Sequence, residues 1–174
     1  MESKCFWALT AREREYYEQP RKGWDEIIAR FRDSLIDVEE ASKCYALSRY
    51  AAAVFHSVQV VEVGLIDLGE FIGVNDPHPG WTAVSNALDK VIAKKYQDRT
   101  AFELANFKFL EQVHGTVAGL KNAWRNKISH VQGKSVLMTK DFSPEVAQEI
   151  LYATRAFMRR LADGLPPKAE SAEG

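Results

Sequence analysis

Cysteine is scarce in this chain: Cys5 and Cys44 are the only two. Two thiols make no disulfide framework, which excludes a cross-linked secreted scaffold and points to a reducing compartment. An excess of either charge is also lacking. The 23 Lys and Arg against 24 Asp and Glu leave a formal net charge of −1. With no global basic field to hold a polyanion, any nucleic-acid or phosphate site must be local. Long apolar runs are missing as well. The most apolar stretch, Tyr50 to Ile72, is broken by His56, Gln59, Glu62, Asp67 and Glu70, which argues against a membrane span. The opening MESKCFWALTARERE has no basic start followed by an apolar run, so it does not read as a secretory signal. P-loop, GxGxxG and nucleophile-elbow patterns are absent, as is any internal repeat. The expectation is a soluble cytoplasmic protein without a membrane partner.

What is present is helical periodicity. Val54, Val58, Val61, Leu65, Leu68 and Ile72 are spaced four, three, four, three and four apart, one apolar stripe of an amphipathic helix. Before it, Ile27, Ile28, Phe31, Leu35 and Val38 predict a helix from Asp25 to about Leu47, followed by a turn at Ser48–Tyr50. Met1–Glu18 is charged and helix-compatible. Gly73 and the segment Asn75–Gly80 read as a loop. A shorter helix is expected from about Thr82 to Tyr96. Asp98 or Thr100 is placed to cap a long helix running to about Val131, with Gly133 as its left-handed cap. Ser143-Pro144-Glu145 reads as an N-cap with proline at the first helical position. The last helix carries Val146, Ile150, Ala153, Phe157 and Leu161. Lys134–Lys140 is compatible with an extended segment, but it stands alone. The fold class expected is all-α: an antiparallel helical bundle of four to five main helices plus an N-terminal helix. Residues 1–22 form the N-terminal extension, 23–164 the bundle and 165–174 a disordered tail.

The long helix after Thr100 is unusual. Around an ideal helix, Val113, Val117, Leu120, Ile128 and Val131 fall within about 40° of Trp124 and make a core-facing stripe. The opposite arc holds Gly115, Ala118, Gly119, Asn122, Ala123, Asn126 and Ser129, small or polar throughout. A solvated face has no need of glycine, which costs about 1 kcal/mol relative to alanine inside a helix. Either the same helix of a second protomer packs on the Gly115/Gly119/Ala123 face, or another helix of the same bundle does. Charge adds to this. No acidic residue stands between Glu111 and Asp141, whereas Lys121, Arg125, Lys127, Lys134 and Lys140 do, with His114 and His130. That strip attracts anions locally. Arg125 and His130 are five apart, about 140° around the helix, so one straight helix cannot aim both at one small group.

Arg125-Asn126-Lys127-Ile128-Ser129-His130 resembles the R-x4-6-H motif of the HEPN superfamily, including the polar residue that often follows its arginine. Leu120–Trp124 and the stretch Ala41–Leu65 resemble that family as well, and the resemblance spans Asp25 to Leu161. It implies a helical bundle that dimerises with the motifs of both protomers at the interface. It also implies metal-independent endoribonuclease activity, as in toxin, antiviral-defence and RNA-processing systems, with no cofactor. His130 would take the proton from a ribose 2′-OH or give one to the leaving 5′-oxygen. Arg125 would hold the phosphate and stabilise its growing charge. Asn126 would orient the ring or hold the phosphate, and Lys121, Lys127 and Lys134 would track the RNA backbone. An antitoxin or other protein partner is compatible with this. One departure stands out: Gln132 occupies the position where some toxin members carry a tyrosine, so control through that residue is in doubt. Many members act as non-catalytic nucleotide-, RNA- or protein-binding modules, which is the alternative reading. A purely structural oligomerisation domain is a third.

Other residues point to blander roles. Glu111-x-x-His114 matches half of a di-iron pattern with no second copy, so no metal site is expected. His56 reads as a satisfied core histidine and Cys44 as an inert buried thiol. Glu62 is either a paired edge carboxylate, with a base such as Arg125, or solvated. His78, between two prolines, reads as an exposed loop residue.

Overall fold

The apolar stripe between Tyr50 and Phe71 organises the molecule. A computed structural model of the chain describes residues 8–76, 80–121 and 142–167. The described residues are all-helical, with seven α-helices and two short 3₁₀ turns. They are α1 (Ala11–Glu18), α2 (Asp25–Arg30), α3 (Leu35–Ala46), α4 (Tyr50–Phe71), α5 (Trp81–Ala93), α6 (Ala101–Leu120) and α7 (Pro144–Gly164), with 3₁₀ turns at Arg32–Ser34 and Tyr96–Asp98.

Helix α4 is central, packing on α3 and α7 and touching α5. Val54, Val58, Val61, Leu65 and Leu68 are all buried, as their spacing requires. Gly64 lets α7 approach closely. A β-carbon there would lie 2.6 Å from Met158 Sδ and 2.7 Å from Leu161 Cδ1. Among the described residues, α4 is the one helix long and apolar enough to cross a membrane. Its inward residues belong to the buried core cluster.

Two helix starts follow local rules. The Thr100 hydroxyl accepts from the Glu103 N–H at 3.2 Å, and the Glu103 carboxylate accepts from the Thr100 N–H at 2.8 Å. This capping box opens α6. Ser143 caps α7 by accepting from the Val146 N–H at 3.3 Å, with Pro144 at the first helical position. On α7, Ile150, Phe157 and Leu161 are buried, while Val146 and Ala153 pack half-buried beside them.

Two expectations are corrected. The helix predicted from Asp25 to Leu47 breaks after Arg30. Ser34 Oγ donates to the Phe31 carbonyl at 2.7 Å, a local bond that competes with the helical ladder, and Phe31 is buried at the bend. The helix predicted to reach Tyr96 ends at Ala93, with Tyr96 exposed in a 3₁₀ turn. Ser48 takes a positive φ of 56° in the turn between α3 and α4. At the chain's other end, Leu165 is buried and the Pro166 carbonyl accepts from Arg30 Nη2 at 2.7 Å.

Candidate functional site

The outward face of α7 is basic. Arg155 and Arg160 flank it and Arg159 lies between them, opposite the buried Ile150, Phe157 and Leu161. Across from this face stands α6. The two helices leave an open groove of about 620 Å³, walled by Phe109 and Gln112 of α6 and by Tyr152, the three arginines and Asp163 of α7. Gly164 shapes its end: a β-carbon there would sit 2.3 Å from the Phe109 ring, so the ring lies on bare backbone.

The arginines differ in their ties. Arg160 Nη1 donates to Thr116 Oγ1 at 3.2 Å, across the groove to α6. Arg155 stacks near the Tyr152 ring, 5.3 Å from its centroid. Arg159 approaches Glu26 at 3.7 Å, with both side chains more than half exposed, a contact of little energetic weight. Three guanidiniums against the lining carboxylate of Asp163 and the Glu26 carboxylate beside Arg159 leave the groove net positive.

A second, smaller cavity of about 320 Å³ adjoins it and shares Tyr152 and Arg155. Here Arg12 Nη2 donates to the Tyr152 hydroxyl at 3.5 Å, and the Tyr16 hydroxyl lies 3.3 Å from the same oxygen. Burial pushes the Tyr16 phenol up to about 12. The hydrogen bond with Tyr16, aided by Arg12, draws Tyr152 below the ordinary tyrosine range. Tyr152 is therefore the phenol that presents a hydrogen-bonded oxygen at the junction of the two spaces.

Glycines on α6 behave unlike Gly64 and Gly164. Gly115 and Gly119 are exposed, and a β-carbon on either would meet nothing within 4 Å. Among the described residues, no helix of the same chain packs on them. Val113, Val117 and Leu120 on the opposite side are buried, as the stripe predicted.

Of the sequence-derived site residues, Lys121 is half-buried at the C-terminal end of α6. Arg125, Asn126, His130, Lys127 and Lys134 lie outside the described residues. So do Ala123, Trp124, Ile128, Gly133, the extended segment Lys134–Lys140 and His78. Glu62 accepts from the Trp81 indole N–H at 2.7 Å, giving that carboxylate a defined partner. His114 Nε2 lies 2.6 Å from Asp89 Oδ1. His56 is not satisfied by the core: its Nδ1 lies 2.7 Å from Asp37 Oδ1 at a half-exposed position. Burial pushes the Cys44 thiol up, against an activated nucleophile.

Sequence reasoning missed the groove. Its signal was available as three arginines within six positions on the polar face of an amphipathic helix, next to Tyr152. Comparison with known proteins finds no matching family model, no matching curated protein and no matching solved structure.

Proposed function

We propose that the protein is a HEPN-type, metal-independent endoribonuclease of the cytoplasm that works as a homodimer and takes RNA along the α6–α7 groove. The observation that carries this is the groove itself, with Arg155, Arg159 and Arg160 lining one wall. Its other wall is the helix that leads into the Arg125–His130 motif. Guanidiniums bind phosphate oxygens in pairs. Tyr152 and Phe109 add aromatic faces on which unpaired bases can stack. The open Gly115–Gly119 face supports close approach of a second copy, which would set two motifs about one two-fold axis. In that arrangement His130 moves the 2′-OH or 5′-oxygen proton, and Arg125 with Asn126 holds the phosphate. The family's toxin and defence systems give this reading its biological setting, with an antitoxin or protein partner as regulator.

The test is cleavage of single-stranded RNA with EDTA present. Wild type is expected to cut, and His130→Ala to lose roughly 10²- to 10⁴-fold in rate. A His130→Ala variant that cuts as well as wild type defeats the catalytic assignment, as does a wild type that cuts nothing. Binding without cleavage by any variant would favour the non-catalytic binding module. The groove is tested separately by the Arg155→Ala/Arg159→Ala double variant. Each lost phosphate contact should flatten the slope of log affinity against log salt by about 0.7. An unchanged slope would remove the groove from the RNA path.

A further inference from the structure

Helix α3 carries Asp37, Glu40 and Cys44 at spacings of three and four, which puts them on one face. The turn at Leu47–Arg49 sends α4 back along α3 and brings His56 over that face. A carboxylate oxygen of Glu40, the Sγ of Cys44 and a ring nitrogen of His56 all lie within 4.8 Å of one another. The imidazole is held from the side by Asp37, through the 2.7 Å contact at Nδ1. Cys44 is buried, while Glu40 and His56 are partly open to solvent.

We infer that Glu40, Cys44 and His56 form a binding site for zinc or a chemically similar divalent transition-metal cation, with Asp37 as the residue that orients His56. The donor set selects the cation. Thiolate, imidazole and carboxylate together suit zinc, whereas calcium and magnesium take oxygen donors. Metal–ligand bonds of about 2.0–2.3 Å need the three donor atoms drawn closer than 4.8 Å, a movement for side-chain rotation to supply, with Glu40 more exposed than His56. Three protein ligands leave a fourth position for water on the open side. Asp37 occupies Nδ1, which leaves Nε2 for the cation; a carboxylate so placed fixes the tautomer of a ligating imidazole and raises its basicity. The surrounding charges permit the change. Lys43 approaches Glu40 at 3.8 Å but Glu39 at 3.1 Å, so Glu40 can turn to a cation without leaving Lys43 unpaired. On binding, the Cys44 thiol releases its proton to solvent and the metal takes the sulfur lone pair, with no change of oxidation state. The bound ion ties α3 to α4 and stabilises the folded chain by mass action. This site lies apart from the α6–α7 groove and stands independently of the nuclease reading.

Cobalt(II) titration of the reduced full chain in a Cys5→Ser background tests it. One equivalent per chain should produce a thiolate-to-cobalt charge-transfer band and the strong visible bands of four-coordinate cobalt. Zinc should abolish both. Cys44→Ser and Cys44→Ala should each remove the charge-transfer band. Glu40→Gln and His56→Ala should each weaken binding at least about ten-fold, and Asp37→Asn should retain the band with affinity lowered about 10- to 100-fold. His114→Ala should bind as the parent does. Zinc should also raise the melting temperature of the parent and not of Cys44→Ala. No cobalt band in the reduced parent, a band that survives loss of Cys44, or unchanged affinity in His56→Ala would each overturn the site.

Discussion

Gly64 and Met158 share one small space at the crossing of α4 and α7: a β-carbon on Gly64 would lie 2.6 Å from Met158 Sδ. The contact is with the flexible end of a side chain, so the crossing can yield in part. Overpacking of this kind costs about 1–3 kcal/mol, offset by about 1 kcal/mol of helix propensity. Gly64→Ala is therefore expected to lower stability by up to about 2 kcal/mol in urea unfolding. In a double-mutant cycle, Met158→Ala should cost less in the Gly64→Ala background than alone, because the added methyl occupies the vacated space. Additive costs would mean that the two residues do not compete.

Gly115 gives the opposite expectation. Its β-carbon would enter open space, so Gly115→Ala should gain about 1 kcal/mol for the single chain. At this chain length that raises Tm by about 2–4 °C in dilute solution. If the α6 face joins two copies, the same methyl should weaken self-association in sedimentation equilibrium. A variant that is more stable and associates as wild type does would place the interface elsewhere.

Glu103 ties stability to pH. The ion pair with Lys94, at 2.6 Å, and the bonds from Thr100 hold its carboxyl below the ordinary glutamate range. A depressed folded pKa adds stability that is present above the unfolded value and is lost as pH falls through the folded one. Glu103→Gln should lower Tm near neutral pH, and its difference from wild type should close as the solution is acidified through the carboxylate range. A constant gap across that range would assign the effect to packing and not to charge.

Much of the helical pattern was legible because its causes are local. The four-three spacing of Val54 to Leu68 depends only on the helical period, and each of those residues is buried. Thr100 and Ser143 cap α6 and α7 because a hydroxyl three residues before a backbone N–H satisfies it wherever the helix sits. The break after Arg30 was not legible. Its residues keep an unbroken apolar spacing, and the bend follows from Ser34 taking the Phe31 carbonyl where Phe31 enters the core.

The sequence by itself determined the all-helical class, the buried stripes and the caps, since these rest on near neighbours along the chain. It also determined the acid-free basic stretch that holds Arg125 and His130. Tertiary structure alone decided which polar residues from different helices meet. The arginines of α7 face Phe109 and Gln112 of α6 across a groove, Trp81 finds Glu62, and His56 returns to Asp37, Glu40 and Cys44. Those meetings depend on how each helix is rotated about its axis when its apolar face is buried. That rotation is a property of the packed core and not of any short segment.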